Sequence, residues 1–462
     1  MRKSSIRGTV RQVALAGALA VGGAVAAVPV RAETLTDALI SAYRHSNLLD
    51  QNRALLRAAD ESVAQAVARL RPVINFIATA GYADPRPISD NYTASLALTA
   101  ELELYTSGAN KLRIESAKEA VLATREALVQ VEQNVLLAAV AAYMEVIRAA
   151  EFVALRQNNV RLITQELRAA RDRFEVGEVT RTDVSIAQAR LAAARAGLAA
   201  AQGDFDVARE AYKAAVGRYP GNLRRPNRPP MTAKTVDAAK AIAVRTHPLI
   251  RQRQREVAVA ELNVLVAKAA LKPSVTGSVS TGIDQDKNAS NSVSVRLTQP
   301  LYHGGRLSSL LRQALATVDA DRAELLQSVV TVKQDVGEAW SNLSVAIAST
   351  EANVRQVRAS QVAFEGVREE AKLGARTTLD VLDAEQDLLD ARAALIQSQI
   401  QQFVAVYTLL SSMGLLTVEH LKLGIVTYDP AAYYRAVKDA PTRYVSPQGE
   451  KLDRVLKGLL KD

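Results

Sequence analysis

The stretch VGEVTRTD, residues 176–183, returns in related form as LGARTTLD, residues 373–380. The two copies start 373 − 176 = 197 residues apart. Gly177 and Gly374 suit the C-terminal end of a helix, because glycine adopts the left-handed backbone conformation found there. In each copy a threonine stands three residues before an aspartate, which is the spacing of a capping box at the start of a helix. Each copy therefore predicts a tight turn between two helices.

The repetition extends outward over most of the chain. Tyr105 returns as Tyr302, again 302 − 105 = 197 residues later, and Pro72 returns as Pro273, at 273 − 72 = 201. A nearly constant offset over this length is typical of a duplicated structural unit. The change of 201 − 197 = 4 residues predicts a loop of different length between Pro72 and Tyr105. After an N-terminal segment, residues 1–32, the sequence predicts three further segments: repeat 1, residues 33–230; repeat 2, residues 231–425; and a C-terminal tail, residues 426–462, expected to be peripheral.

Each repeat contains two predicted β-strands, at about residues 73–105 and 274–302, where apolar and polar residues alternate. Polar loops at residues 84–91 and 284–291 separate the strands. Strands of ~10–13 residues, tilted by ~45°, cover roughly 25–30 Å, the height of a bilayer core. The mature chain has no long apolar run, so a closed β-barrel is the remaining way for it to span lipid. A soluble β-hairpin that caps a helical bundle is the alternative interpretation.

Two long segments, residues 111–175 and 307–372, contain no proline and have helical character. At 1.5 Å per residue each would extend about 100 Å, so each needs a packed partner along its length. Residues 182–216 and 379–413 return antiparallel after the tight turns and supply such partners. Shorter helical segments, residues 36–70 and 236–271, with breaks near His45 and His247, complete each repeat. The sequence predicts a mainly α-helical rod with four strands at one end.

The N-terminal residues 1–32 are typical of a signal peptide that is cut after Ala32. Four of the first eleven residues are basic, and residues 13–28 are apolar and small. The alternative is an uncleaved membrane anchor. The chain contains no cysteine, so it has neither a lipoprotein anchor site nor a disulfide framework. The formal charge of +10 includes five basic residues of this segment, so the mature chain is only mildly basic.

Nothing in the sequence predicts catalysis, a cofactor or a metal site. No nucleophile–base pair, phosphate-binding loop or cluster of metal ligands is present, and the histidines are expected to be structural. The basic residues are scattered without interleaved aromatic residues, which argues against nucleic-acid binding. The predicted class is therefore a non-enzymatic protein without cofactors. The four histidines are His45, His247, His303 and His420.

The two tips differ in charge. Asp183 and Asp380 stand in the capping boxes, so helix initiation explains both of them. Arg376 and Asp383, in contrast, have apolar counterparts in repeat 1. Asp380 and Asp383 are three residues apart and share one face of the helix. If that face points to an assembly axis, these two residues form a carboxylate ring, which binds or selects cations in pores.

At GARTTLDVLDA, residues 374–384, and at LYHGG, residues 301–305, the chain resembles the TolC family of outer-membrane efflux proteins. The resemblance implies a homotrimer in which four strands per chain close a barrel of 3 × 4 = 12 strands in outer-membrane lipid. It also implies a long periplasmic tunnel of helices, an α-barrel. The implied function is the exit duct of a tripartite efflux or type I secretion system. A periplasmic adaptor and an inner-membrane ABC or RND transporter would open the tip.

The resemblance also implies roles for particular residues. Asp380 and Asp383 match the acidic rings at the pore entrance. Arg376 matches a gate arginine that contacts a neighbouring chain at Thr182 and Asp183.

Ala371 departs from the family pattern, because well-known members have a gate tyrosine at this position. The residues alone leave two other classes open: a pump-independent outer-membrane porin and a soluble periplasmic coiled-coil scaffold. The cargo, drugs or a secreted protein, is not encoded in any motif of this chain.

Overall fold

The computed structural model describes residues 33–82, 92–226, 230, 232–442, 454 and 458. The expected signal peptide and the first hairpin loop, residues 84–91, lie outside this part of the chain. Within it, no helix combines the length and the apolar character needed to cross a membrane.

Repeat 1 has the predicted order of helices and strands. Its elements are α1 (Leu35–His45), α2 (Asn47–Ala68), β1 (Val73–Tyr82), β2 (Tyr92–Tyr105), α3 (Ala109–Glu175) and α4 (Arg181–Val216). Repeat 2 has the same order, which confirms the internal duplication. Its elements are α5 (Val236–Thr246), α6 (Pro248–Ala269), β3 (Ser274–Asp284), β4 (Ala289–Thr298), α7 (Arg306–Lys372) and α8 (Thr378–Ser412). A short helix, α9 (Ala432–Val437), lies in the tail.

The four strands form one antiparallel sheet in the order β1-β2-β3-β4. Its rows mostly alternate in chemistry, although Thr281 and Asn291 lie on the apolar side and Ile77 lies on the polar side. One row is apolar: Ile74, Ala100, Val279 and Val293. The next row is polar: Asn75, Thr99, Ser280 and Ser292. Because neighbouring rows point to opposite faces, the sheet has an apolar face and a polar face. Both faces of the edge strands β1 and β4 are exposed in the single chain.

The second hairpin differs from its prediction at two places. Its loop is shorter than residues 284–291, because β3 continues to Asp284 and β4 begins at Ala289. The Asp284 carboxylate accepts hydrogen bonds from the backbone N–H of Asp286 (2.9 Å) and Asn288 (2.8 Å) and thereby closes a tighter turn. The strand also ends at Thr298 rather than near residue 302. Pro300 follows, and proline has no N–H to donate to a sheet.

The two longest helices, α3 and α7, have 67 residues each, which corresponds to about 100 Å. Helix α4 packs antiparallel on α3, and α8 packs on α7. The shorter helices extend these pairs towards the sheet: α2 and α6 lie on α3, and α5 and α6 lie on α7. The largest hydrophobic core lies where α1, α3, α4 and α8 meet, around the fully buried Tyr143 and Tyr212. The predicted rod with strands at one end is therefore confirmed.

A glycine at the end of α4 or α8 packs against each helix break. A Cβ atom at Gly217 would lie 2.7 Å from the Cβ of His45, and one at Gly414 would lie 2.6 Å from the Cα of His247. His247 caps α6, where its Nδ1 accepts a hydrogen bond from the N–H of Leu249 (3.2 Å). The Nδ1 of His45 lies 2.9 Å from the Ser41 carbonyl oxygen. These contacts give both histidines structural roles, as predicted.

Residues 426–442 of the tail are not peripheral. The Arg71 guanidinium donates to the carbonyl oxygens of Asp439 and Ala440, and Val437 is buried. The Tyr433 hydroxyl donates to Glu61 of α2 at 2.7 Å. The tail thus runs along α2 towards the start of the sheet.

Candidate functional site: the tip of the helical rod

The end of the rod opposite the sheet consists of the two predicted turns. Gly177 and Gly374 have φ angles of +79° and +77°. The N–H of Glu178 donates to the carbonyl of Arg173 (2.9 Å), and the N–H of Ala375 donates to that of Glu370 (3.0 Å). These bonds satisfy carbonyl groups at the helix ends in Schellman motifs. The repeated glycine therefore sets the same reversal of direction in both repeats.

A capping box starts each returning helix. The Thr180 hydroxyl accepts from the N–H of Asp183 (3.3 Å), and the Asp183 carboxylate accepts from the N–H of Thr180 (2.9 Å). Thr377 and Asp380 form the same pair at 3.2 and 2.9 Å. The interpretation of both aspartates as helix-initiating residues is confirmed. The hydrogen bonds from Thr180 and Thr377 hold the pKa of Asp183 and Asp380 below its usual value, so both carboxylates remain ionised near neutral pH.

The two turns enclose a cleft of about 700 Å³. Arg173 and Asp183 line it from repeat 1, and Arg376 and Asp380 line it from repeat 2. The proposed gate and ring residues Asp183, Arg376 and Asp380 therefore face a common space. Thr182 is exposed and lies outside the lining of this cleft.

The guanidinium of Arg376 binds Glu370 of its own chain, with a Nε–Oε2 distance of 2.9 Å. Both side chains are about half exposed, and Glu370 raises the pKa of Arg376 further. No sequence motif predicted this partner. The available signal was the six-residue spacing across the helix-ending glycine, because the Schellman turn folds residue 376 back towards the last turn of α7.

Asp383 also has a partner within the chain. Its Oδ1 lies 2.7 Å from Nη2 of Arg190 on α4. Asp380 and Asp383 thus make different contacts: the first closes a capping box, and the second joins α8 to α4. Nothing in the spacing of the sequence could identify Arg190, which is 193 residues away from Asp383.

Ala371 is buried in an apolar cluster between α7 and α8, with Phe364, Val381 and Leu388. A small apolar side chain therefore fills this position between the two helices. Within the described ranges, no group of acidic or histidine side chains has an arrangement that could hold a metal ion. The chemistry of the tip is that of ion pairs and helix caps.

The fold and this tip define a class of proteins. Residues 39–218 and 242–415 match the family described as Outer membrane efflux protein. The two matched ranges lie within the two repeats and cover most of the chain. The chain belongs to this family of outer-membrane transport components, and its place is the outer membrane.

Particular relatives are similar over nearly the whole length. The chain is 35% identical over 450 residues to the outer membrane efflux protein BepC of Brucella suis biovar 1, covering 95% of this chain and 98% of BepC. It is 27% identical to the outer membrane protein TolC of Vibrio cholerae serotype O1, covering 84% of this chain and 92% of TolC. The crystal structure of CusC superposes with a TM-score of 0.74 at 18% identity, covering 82% of this chain and 92% of that one, which shows the shared fold.

Proposed function

We propose that this chain is the outer-membrane exit duct of a tripartite efflux or type I secretion system. It has no energy source of its own, so an inner-membrane ABC or RND transporter drives transport, and a periplasmic adaptor joins the two. The observation that carries the proposal is the combination of a two-faced sheet and a helical rod of about 100 Å in one chain. A porin needs the two-faced sheet but not the long rod, whereas a soluble scaffold needs the rod but not the sheet.

The sheet supports assembly into a homotrimer. Four strands cannot close around a channel, and open strand edges are not tolerated in lipid. Joining β4 of each chain to β1 of the next gives a closed barrel of 3 × 4 = 12 strands. The apolar row that contains Val293, which is 79% exposed in the single chain, then faces lipid. The polar row that contains Ser292 faces the channel.

The tip supports a gate. In the proposed trimer, Arg376 binds Thr182 and Asp183 of a neighbouring chain, while Asp380 and Asp383 ring the entrance. Opening separates the tips of the helices by breaking the Arg376 contacts. Within each chain Glu370 binds Arg376 and Arg190 binds Asp383, so any contact with a neighbouring chain competes with these ion pairs. The cargo depends on the transporter that binds the tip.

Cysteine cross-linking tests the barrel, because the chain has no cysteine of its own. The double variant carries Asn75→Cys on β1 and Ser292→Cys on β4. These two positions lie on the polar face at opposite edges of one chain's sheet. A short bis-maleimide is expected to link them only between neighbours, and to give dimers and trimers on a denaturing gel. The single variant Asn75→Cys is the control. Monomers alone, together with no conductance in planar bilayers, would overturn the duct.

A further inference from the structure

Above the tip, polar contacts join the helix pair α3/α4 to the pair α7/α8. Within the described part of the chain three such contacts cross this seam. They are Arg190–Asp383 at 2.7 Å, Arg368–Glu166 at 3.3 Å and Asn159–Glu385 at 3.0 Å. The first is exposed on both sides, whereas Glu385 is only 3% exposed. The seam therefore contains two buried carboxyl groups, Glu385 and Glu166, and only Glu166 is paired with an arginine.

Glu385 lies on α8 where three helices meet. Leu382, one turn earlier, packs in an apolar cluster with Ile163 and Leu167 of α3. Leu388, one turn later, packs against Phe364 of α7. Glu385 is thus placed between two hydrophobic clusters and cannot reach solvent without moving α8.

Only one oxygen of Glu385 has a hydrogen-bond partner. Oε1 accepts from Nδ2 of Asn159, while Oε2 is buried without a partner. An ionised carboxylate in this position is costly, because a buried charge needs several donors or a cation. A protonated carboxyl group costs much less.

The charged groups around Glu385 do not neutralise it. Glu166 faces it from α3 and disfavours its charge. Arg368 faces it from α7, but the Arg368 guanidinium is bound to Glu166. On the α4 side, Arg190 is bound to Asp383. Burial, reinforced by Glu166, raises the pKa of Glu385 to about 7 against the lowering effects of Asn159 and Arg368.

We propose that Glu385 is a proton-operated clasp that holds α8 against α3 when the carboxyl group is protonated and releases it when the proton is lost. Release loosens the pair α7/α8 from the pair α3/α4 and favours the open tip. The inference rests on the proposed duct function for its effect on conductance. The clasp itself requires only the packing of α3, α7 and α8.

The direction of the pH dependence follows from the linkage between protonation of Glu385 and packing of the seam. A carboxyl group whose pKa is higher in the packed state than its usual value of 4.5 favours packing most below pH 4.5. That contribution declines as the pH rises and is lost above about 7. Each pH unit within this window changes the ratio of packed to released seam by up to about tenfold per chain. The largest change per chain is of the order of 10²-fold.

Single-channel recording of the purified trimer between pH 5 and 8 tests the clasp. The wild-type open fraction is expected to rise with pH. Glu385→Gln, which accepts from Asn159 but cannot ionise, is expected to keep the low-pH open fraction throughout. Glu351→Gln, an exposed change on α7, is the control and should follow the wild type. A rise with pH in Glu385→Gln that equals the wild type, or a flat wild-type profile, overturns the clasp but leaves the duct intact.

Hydrogen exchange in detergent provides a readout that needs no channel. Amide protection around residues 381–389, corrected for the intrinsic exchange rate, is expected to fall with pH in the wild type and to persist in Glu385→Gln. Asn159→Leu removes the one donor, so its transition should move to higher pH. This variant keeps the test decisive if Glu385→Gln fails to assemble. A transition that stays in place in Asn159→Leu, or moves to lower pH, contradicts the clasp.

Discussion

Arg376 and Glu370 form an ion pair across the turn that ends α7, with 2.9 Å between Nε and Oε2. The arginine proposed as the gate contact is therefore held by its own chain, and any contact with a neighbour competes with Glu370. The two residues should have opposite effects on the closed state.

Arg376→Gln is expected to raise single-channel conductance or open fraction, because the contact between chains loses its charge. Glu370→Gln is expected to lower the open fraction, because it frees Arg376 for the neighbouring chain. Lys372→Gln, which removes the nearby exposed pair with Glu369, is the control. Equal conductance in all variants would remove Arg376 from the gate.

The acidic entrance is tested by cation block. Replacing Asp380 and Asp383 together with asparagine keeps side-chain size and removes two charges per chain. Block of the channel by multivalent cations is expected to weaken several-fold, because a carboxylate ring attracts them. Asp206→Asn, an exposed change on α4, serves as the control. Undiminished block in the double variant would mean that these carboxylates do not face the lumen.

Gly414→Ala is expected to lower the thermal stability of the protein. Its Cβ would lie 2.6 Å from the Cα of His247, so either the break between α5 and α6 or the end of α8 must move. Overpacking of this kind costs roughly 1–3 kcal/mol, in addition to the strain of the positive φ angle. Gly374→Ala is the matched control, because its φ is also positive (+77°) but its Cβ would meet nothing within 4 Å. Equal losses of melting temperature would exclude the clash as the cause.

The capping boxes predict a loss of tip structure in acid. Hydrogen bonds lower the pKa of Asp183 and Asp380 from 3.8 in the folded state. Their contribution to stability is therefore present above pH 3.8 and is lost as the pH falls through the lower folded pKa. Hydrogen exchange in the first turns of α4 and α8 is expected to increase below about pH 4. Thr180→Ala should produce that increase at α4 already at neutral pH; unchanged exchange at α4 would argue against the cap.

The acid response of the caps and the response of the clasp have opposite signs. The start of α8 should loosen as the pH falls below 4, whereas the seam at Glu385 should loosen as the pH rises towards 7. Measuring both segments in one exchange experiment separates local unfolding of the tip from release of the seam.

Local features of the molecule were predictable from the sequence. The duplicated VGEVTRTD and LGARTTLD stretches predicted both turns, because a glycine C-cap and a threonine–aspartate capping box involve residues within six positions of each other. The alternation of apolar and polar residues predicted the strands, because this pattern too is set by residues close together in the sequence. The predicted length of the second hairpin loop was wrong. The Asp284 side chain closes a tighter turn than expected, so the loop is shorter.

The repeats, the helices, the strands and the capped turns at the tip follow from the amino-acid sequence, because backbone geometry fixes which residues of one helical turn or one strand face are neighbours. Contacts between distant segments emerge only in the folded chain: Arg190 meets Asp383, Asn159 meets Glu385, and the tail packs along α2. Those partners depend on the axial register of helices packed side by side. The register is set by the fit of apolar clusters around residues such as Leu382 and Leu388, and no local spacing in the sequence specifies it.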